Sequence, residues 1–513
     1  MGEETARTLE RSLLLALALA APALCLGQEA GSSGVAASTP ASSTPASTTP
    51  VATSAPAAEA PGAVLPGAAL PGLTAPLPVT GAGLTGLTSL PAEYTNYGAS
   101  VGVGESDNVN LSATHPESQT LTAANLFFDL IRSGSRLNLN AVGNFSDTDY
   151  LQGAYSNQVL GRFDGLANVT LWEHHLRWLV RDDYGDSQVD VLESLTPVNL
   201  QRINIFSTGP DLTLQPTLAS FVDLQGLYAR NDWQDDPFSG NTETGTVTVG
   251  HQLSPAASLS LVGQVQQEQF DNTTVNKNYQ VREYYGHYAL TAARTSVDLQ
   301  GGLEQANDTG SWTSSPLVRV AITRGVSPFS TVTVSGGREY SNAMGNFAGI
   351  DTGATGGIPV GGAAQTTGNA LRTYGDLDWG FRRQRTSINL IGDWARSSYD
   401  VQSQFNFTQT SIGLNLGRQL TPRLSANVMA TIDRGQYGNQ GFTNTYGTGS
   451  AGLVYRPGSW VVIYGRYDHE LQRSSGLTRG LGYDENRIFV MVGYYPHSAS
   501  TSLPQGMQGA GFP

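Results

Sequence analysis

The sequence is poor in charged residues, and among these it is especially poor in lysine. Only 14% of the 513 residues are charged, whereas about a quarter is usual for soluble domains. Lys277 is the only lysine, and the formal net charge is −14. A protein that binds nucleic acid needs a basic face, which this composition does not provide. The shortage of charge also indicates that something other than charged side chains covers the surface.

The chain contains a single cysteine, Cys25, which lies inside an apolar N-terminal stretch. If that stretch is removed, the mature chain has no thiol, so it can have neither a disulfide framework nor a cysteine-ligated metal site. The seven histidines are scattered, and their spacing does not suggest a zinc site. No Gly-x-Ser-x-Gly motif lies between a strand and a helix, as it does in many hydrolases. The sequence therefore predicts no cofactor and no enzymatic activity.

Long hydrophobic runs are absent after the first thirty residues. A membrane-spanning helix needs about 20 consecutive apolar residues, and no later run approaches that length. The mean hydropathy is −0.20 and the hydrophobic fraction is 39%. These values exclude a helical membrane protein but not a β-barrel. In a barrel the apolar residues facing lipid alternate with polar residues facing the lumen, so the average is unremarkable.

The first 27 residues are predicted to be a secretory signal peptide. An apolar stretch at 13–26 follows Arg7 and Arg11, and cleavage is expected after position 27. A lipoprotein anchored through Cys25 is the alternative, although a bulky leucine precedes the cysteine where lipidation prefers a small residue.

Residues 28–92 consist almost entirely of Ala, Pro, Ser, Thr, Gly and a few aliphatic residues. Such a segment cannot bury enough apolar surface to offset its conformational entropy, so we predict a disordered periplasmic linker. A barrel domain is predicted over 93–497, followed by a flexible C-terminal tail over 498–513.

Apolar and polar residues alternate through most of the predicted barrel domain. Over 424–433, for example, nearly every second side chain is apolar and those between are polar, and the pattern recurs at 137–141, 297–304 and 388–394. A period of two is typical of a β-strand with one apolar and one polar face. A soluble β-sandwich would give the same pattern in any single strand, so the strands alone do not distinguish the two folds.

The connections between the predicted strands distinguish the two folds better. Short turns are predicted at 133–135, 173–174, 254–255, 294–295, 327–328, 384–385, 421–422 and 457–458. Longer polar or glycine-rich stretches alternate with them, at 105–118, 147–158, 233–243, 271–277, 306–314, 342–369, 399–404, 436–444 and 472–484. Outer-membrane barrels have short periplasmic turns and long outer loops. We therefore predict an all-β, transmembrane, antiparallel up-and-down β-barrel.

About 18–20 strands are predicted. The count is 20 if 190–220 contains a pair of strands and 18 if it does not, because Pro197, Pro210 and Pro216 interrupt the alternation there. An even number of strands would place both ends of the barrel on the periplasmic side, which agrees with a linker entering from there.

Projecting the alternation places several polar residues on the lumen face. The candidate lumen-facing residues are Asp298, Glu304, Glu339, Tyr374, Asp376, Asp378, Asp393, Asn427 and Asp433. Acidic groups inside a pore favour cations, can hydrogen-bond neutral sugar hydroxyls, and repel anions. The alternative is that these residues are polar only because water fills the lumen. At about 20 strands an aqueous channel is expected, and the glycine-rich loop at 342–369 is the predicted constriction.

Most of residues 95–495 resemble the outer-membrane β-barrel proteins associated with the PEP-CTERM and exosortase system, a porin-like family. The segments that carry the resemblance are 104–110 (Gly-Glu-Ser-Asp-Asn-Val-Asn), 207–210 (Ser-Thr-Gly-Pro), 325–328 (Gly-Val-Ser-Pro) and 337–340 (Gly-Arg-Glu-Tyr). The resemblance implies a location in the outer membrane of a Gram-negative bacterium and a link to exopolysaccharide production or export. It implies no catalytic residues.

We therefore expect a non-enzymatic outer-membrane channel, or an accessory barrel, that serves exopolysaccharide production or export. The expected partners are outer-membrane lipid and lipopolysaccharide, the barrel-assembly machinery and polysaccharide-export components, with no nucleic acid. Two alternatives remain: an outer-membrane enzyme that acts on lipid or polysaccharide, and a structural or adhesive barrel without a conducting pore.

Overall fold

The computed structural model describes the chain in nine segments. They are residues 93–189, 196–234, 238–274, 276–307, 310–341, 370–399, 406–438, 441–476 and 482–496. Four predictions lie outside the described residues: the signal peptide (1–27), the linker (28–92), the constriction loop (342–369) and the C-terminal tail (498–513).

Twenty strands, β1 to β20 in chain order, make up most of the described residues. The first ten are Glu93–Ser106, Gln119–Ser133, Leu137–Tyr150, Gln158–Trp172, Leu176–Gln188, Leu200–Leu214, Ser220–Trp233, Gly240–Ser254, Ala257–Phe270 and Tyr279–Ala292. The second ten are Thr295–Asn307, Thr313–Ser327, Ser330–Ser341, Ala370–Arg383, Thr386–Tyr399, Phe407–Thr421, Leu424–Tyr437, Phe442–Tyr455, Val461–Ser475 and Tyr483–Tyr494. In the described part of the chain, no helix is long and apolar enough to cross a membrane.

The strands close into a single barrel. Each strand pairs antiparallel with the next in sequence, and β20 returns to pair with β1, from Ala99 opposite Tyr494 to Ser106 opposite Arg487. Closure leaves the sheet without an edge, so its backbone groups are satisfied within the sheet. The predicted all-β antiparallel up-and-down barrel is confirmed, and the count of 20 lies at the upper end of the predicted range.

Short and long connections lie at opposite ends of the barrel. The turn between β8 and β9 occupies only 255–256, whereas the connections before β2 and β14 occupy 107–118 and 342–369. Because the number of strands is even, β1 begins and β20 ends at the short-turn end. In an outer-membrane barrel this end faces the periplasm and the long-loop end faces outward.

Three of the short turns share one construction, in which a hydroxyl residue precedes a proline. The Ser254 Oγ accepts a hydrogen bond from the backbone N–H two residues later at 3.2 Å, and Ser327 and Thr421 do the same at 3.1 and 3.2 Å. Each turn also follows an irregularity in the strand pairing. The hydroxyl and the fixed φ of proline together close the reversal.

The region around 190–220 contains regular strands despite its prolines. Pro197 begins a single 3-10 turn, and Pro216 lies in the connection between β6 and β7. Pro210 lies within β6, where the β6–β7 pairing skips from Thr208 to Asp211. Proline cannot donate a hydrogen bond to the neighbouring strand, which accounts for the gap and for the weak alternation in the sequence.

The two faces of the barrel wall differ in polarity. Large apolar side chains are exposed on the outer face, for example Leu261 at 70% and Ile432 at 60%. Their sequence neighbours Ser260 and Thr431 point inward and are only 6% and 9% exposed. A soluble protein rarely exposes so continuous an apolar surface, whereas a barrel in a membrane needs it.

Candidate functional site in the barrel interior

The structure places all nine candidate lumen residues on the interior face. They lie on β11 (Asp298, Glu304), β13 (Glu339), β14 (Tyr374, Asp376, Asp378), β15 (Asp393) and β17 (Asn427, Asp433). The placement follows from the exposed apolar residues on the same strands, such as Leu377 in β14 and Ile432 in β17, which point the other way. The residues lie on five strands between β11 and β17 and do not form one compact site, so their joint role remains a prediction.

A charge cluster on β10–β13 brings two of the predicted acids together. The Arg319 guanidinium donates to both oxygens of Glu283, at 3.1 and 3.2 Å, and also forms an ion pair with Glu339. A second buried acid, Glu304, accepts a hydrogen bond from the backbone N–H of Tyr340 at 2.6 Å. Glu283 and Arg319 were not among the predicted residues. They lie on β10 and β12, and nothing in the sequence indicates that side chains on these two non-adjacent strands form an ion pair.

Asp298 forms a different contact on the same wall. Its carboxylate is 2.8 Å from the His287 Nε2 and accepts a hydrogen bond from Gln300 at 3.1 Å. Ser260, only 6% exposed, is the cross-strand partner of His287 on β9. Ser260 and His287 therefore lie directly opposite each other, and Asp298 binds the histidine from a diagonal position on β11. These are the three residue types that a hydrolase triad uses.

A second charge cluster lies on β19 and β20, near the long-loop end. Arg487 is 2.8 Å from Glu470 and 3.6 Å from Glu485. The Tyr483 hydroxyl donates to Glu470 at 2.6 Å, and the Ser106 hydroxyl donates to Glu485 at 2.5 Å. All of these side chains are buried, so the cluster joins the first strand to the last two through buried polar contacts.

Several other interior arginines in the described residues are also engaged. Those that form ion pairs are Arg162 with Asp164 (3.0 Å), Arg177 with Asp211 (2.7 Å), Arg181 with Asp183 (2.6 Å) and Arg466 with Asp468 (2.5 Å). Arg372 stacks on the ring of Tyr374, with 4.4 Å between the guanidinium carbon and the ring centre. Three of the ion pairs join residues two apart on one strand, a spacing that the sequence shows directly.

Acids outnumber arginines on the interior face. Beyond the carboxylates in these ion pairs, the described strands direct inward Asp129, Asp223, Glu268, Asp298, Glu304, Asp376, Asp378, Asp393 and Asp433. The interior therefore carries a negative excess that its own arginines do not offset. In the described residues, no group of three or more His, Cys, Asp or Glu side chains is placed to hold a metal ion.

The connection between β1 and β2 folds into the barrel at its long-loop end. Its residue Leu111 is 5% exposed and belongs to an apolar cluster with Leu160 and Leu200 on one side and Tyr446 and Tyr483 on the other. These residues come from β4, β6, β18 and β20, which lie on both sides of the β1–β2 hairpin. The connection therefore reduces the opening, whereas the constriction predicted at 342–369 lies outside the described residues.

Asn108 holds this connection in place. Its side-chain amide donates to the backbone oxygens of Ser112 and Asp484, at 3.0 and 2.8 Å, and its side-chain oxygen accepts from the Ser112 N–H at 3.0 Å. The backbone N–H of Asn108 donates to the Ser106 hydroxyl at 3.1 Å. The segment 104–110, which carries part of the family resemblance, thus contains the residues that fix the turn into the barrel.

A cavity of about 480 Å³ lies beside this connection at the long-loop rim. Its lining is mainly polar and comes from the two ends of the barrel sequence: Asp107, Asn108, Ser112, Ala113, Pro116, Arg473, Gly482, Tyr483, Asp484 and Asn486. The lining groups bind one another, since Asp107 accepts two hydrogen bonds from Asn486 and Arg473 binds Asp484 through both carboxylate oxygens.

No protein-family model matches the chain, and no curated protein matches it. Several solved structures are similar to it. The siderophore receptor PirA from Pseudomonas aeruginosa has 10% identity and a TM-score of 0.37, over 80% of this chain and 81% of the receptor. The FrpB iron transporter from Neisseria meningitidis has 9% identity and a TM-score of 0.38, over 80% and 82%. A loop-deletion mutant of OmpT, an outer membrane protein of Vibrio cholerae, has 9% identity and a TM-score of 0.29, over 79% and 100%.

The barrel's own geometry defines the class of protein. A closed antiparallel sheet with an apolar exterior, a polar interior and long loops at one end is the architecture of the bacterial outer membrane. The chain is an outer-membrane β-barrel protein.

Proposed function

We propose that this protein is a non-enzymatic outer-membrane channel for cations and neutral polar solutes, and that it serves exopolysaccharide production or export. The observation that carries the channel proposal is the acidic excess of the interior. Arg319 and Arg487 each bind two carboxylates, so they offer little attraction to an anion in the lumen. Carboxylates attract cations and accept hydrogen bonds from sugar hydroxyls.

The role in exopolysaccharide production rests on the resemblance of residues 95–495 to barrels of the PEP-CTERM and exosortase system. The interior supports this role through its many neutral hydrogen-bonding side chains. Thr242, Thr244, Thr246 and Thr248 line β8, and Gln264 faces them from β9. Side chains of this kind bind hydroxyl groups without attracting charge.

Reconstitution of the purified protein in a planar bilayer tests the channel proposal. Under a salt gradient, we expect single-channel conductance with a reversal potential that favours cations. Liposomes that contain the protein should also swell in neutral oligosaccharides faster than in anionic sugars of the same size. Folded protein that gives no conductance, or conductance that favours anions, would contradict the proposal.

The exopolysaccharide role needs a separate test in cells. Deletion of the gene is expected to reduce the polysaccharide released into the medium while leaving other secreted proteins unchanged. Complementation with the wild-type gene should restore its release. Unchanged release would remove the exopolysaccharide role and leave the channel proposal standing.

The proximity of Ser260, His287 and Asp298 favours a second candidate, an outer-membrane hydrolase. Substitution of Ser260 by alanine separates the two functions. If the protein is a channel only, the Ser260→Ala protein should have the conductance of the wild type. The substitution should also cause no loss of hydrolytic activity toward lipid or polysaccharide. Hydrolysis by the wild-type protein that disappears in Ser260→Ala would instead establish the enzyme.

A further inference from the structure

Three exposed arginines lie at one level on the outer face of the barrel. Arg338, Arg396 and Arg434 are each the fourth residue from the long-loop end of β13, β15 and β17. Within the described residues, none of the three forms an ion pair or a hydrogen bond through its side chain. Three guanidinium groups are therefore available to a ligand outside the barrel.

Threonines on the strands between them complete the row. Thr373 on β14 lies directly opposite both Arg338 and Arg396. Arg434 lies directly opposite Thr410 on β16 and Thr445 on β18. Adjacent strands are about 4.8 Å apart, so successive arginines lie roughly 10 Å apart with a hydroxyl between them. We call these six residues the outer arginine row.

The strands that carry this row direct no acid outward among the described residues. Their acids point into the lumen, including Glu339 next to Arg338 and Asp433 next to Arg434. The outer face of β13–β18 is therefore cationic at this level.

Two other outward arginines near the long-loop end are bound to carboxylates. Arg230 donates to Asp232 at 2.9 Å and to Asp271 at 2.7 Å. Arg473 binds Asp484 at 2.6 Å. These two side chains are already satisfied by protein groups, unlike the three arginines of the outer arginine row.

The apolar belt begins directly below the outer arginine row. Trp394, Ile412 and Ile432 lie one step closer to the barrel middle on the same face, and they are 41%, 57% and 60% exposed. The row therefore lies at the boundary between the membrane core and the headgroups of the outer leaflet. A ligand that fits this surface has an anionic head and apolar chains.

We propose that the outer arginine row binds the phosphate groups of a phosphorylated glycolipid of the outer leaflet. The guanidinium groups pair with phosphate oxygens in the forked geometry that arginine favours. The threonine hydroxyls bind phosphate or sugar oxygens, and the acyl chains lie along the apolar belt. A second copy of the barrel does not fit as the occupant, because a two-fold interface through the row would place arginines against arginines.

The test uses the full mature chain, purified in detergent and transferred to vesicles. One variant carries Arg338→Gln, Arg396→Gln and Arg434→Gln. The matched control carries Arg324→Gln and Arg418→Gln, two exposed outward arginines at the short-turn end of β12 and β16. Heat-modifiable gel migration establishes that each variant is folded. Native mass spectrometry then measures retained lipid from vesicles of phosphatidylcholine that contain bisphosphorylated lipid A, dephosphorylated lipid A or phosphatidylglycerol.

Wild type and the control are expected to retain bisphosphorylated lipid A in preference to the other two lipids. The triple variant should bind it roughly 100-fold more weakly, since each basic side chain at a membrane surface contributes about a fivefold gain in affinity. Equal retention by all three proteins would overturn the proposal, and so would equal retention of phosphatidylglycerol by wild type.

If the triple variant fails to fold, Thr373→Val with Thr410→Val provides the same comparison, with a smaller loss of binding expected. A change in oligomeric state without a change in lipid retention would assign the row to a protein interface instead.

Discussion

Asp433 and Arg434 are consecutive residues of β17, yet their side chains lie on opposite faces of the barrel wall. Asp433 points into the lumen and is half-buried, whereas Arg434 is exposed on the outer face. Because side chains alternate along a strand, a shift of register by one residue would place the carboxylate toward lipid and the guanidinium inside. Arg338 and Glu339 are separated in the same way in β13. The register of the sheet therefore gives this side of the barrel an acidic interior and a basic outer rim.

The interior acids should determine which ions pass. Asp376→Asn combined with Asp433→Asn removes two interior charges without changing side-chain volume. We expect the ratio of cation to anion permeability to fall roughly five- to thirtyfold, because each of the two charges contributes about 0.5–1 kcal/mol in a water-filled lumen. Reversal potentials in a salt gradient measure the ratio.

The control for this prediction removes acids from the other face. Glu105→Gln with Glu243→Gln neutralises two exposed outward carboxylates near the same end of the barrel. This pair should leave the permeability ratio unchanged. An equal effect of both pairs would mean that overall charge, and not the interior face, determines selectivity.

Arg319 is expected to be essential for stability. It is 13% exposed and lies among Glu283, Glu304 and Glu339. Arg319→Gln would leave these acids buried without a cation, and loss of one partner of a buried ion pair costs about 3–5 kcal/mol. The free energy of unfolding in urea, followed by tryptophan fluorescence, measures the loss. Arg324→Gln, five residues later on the outer face, is the control and should change stability little; equal losses would refute the assignment.

Much of the fold could be predicted from local sequence. The period of two placed Asp298, Asp376 and Asp433 on the interior face without knowledge of their neighbours, because alternation is a property of each strand alone. Turn residues such as Pro255 and Pro328 predicted where the chain reverses direction, because the preference of proline for a turn is also a local property. The alternation of short and long connections then indicated a barrel.

Contacts between strands could not be predicted in this way. The ion pair of Arg319 with Glu283 joins residues 36 apart, and it depends on the register of two intervening strand pairs. The connection at 107–118 enters the barrel through a hydrogen bond from Asn108 to Asp484, which is 376 positions away. The two large aliphatic residues of this mostly polar loop, Val109 and Leu111, were the available signal. Both are buried in the structure.

The ion pair between Arg230 and Asp271 should be visible in a pH titration. Two hydrogen bonds from Arg230 hold the pKa of the Asp271 carboxyl below its usual value of 3.8. A carboxyl with a lowered pKa in the folded state contributes stability above its unfolded pKa and loses it as the pH falls through the folded pKa. The pair is about half exposed, so its contribution to stability is small.

Carbon-13 NMR of labelled aspartate carboxyls measures this pKa, and Asp271→Asn assigns the signal. In wild type we expect Asp271 to remain mostly ionised at pH 3.8. Arg230→Gln should return the titration to its usual range. Arg282→Gln removes an outward arginine at the same level of β10 and should not affect it. A midpoint that does not move in Arg230→Gln would show that another group lowers the pKa.

The connection between β1 and β2 should limit conductance, and Asn108 should hold it in place. Asn108→Ala removes three side-chain hydrogen bonds, each worth about 0.5–1.5 kcal/mol, and leaves the strands intact. Because the same connection carries Leu111 into the barrel, its release should raise single-channel conductance and expose residues 107–118 to protease. Ser118→Ala is the control in the same connection, since the Ser118 hydroxyl makes a single long hydrogen bond of 3.4 Å. A folded Asn108→Ala protein with wild-type conductance and wild-type protease resistance would show that the connection does not restrict the channel.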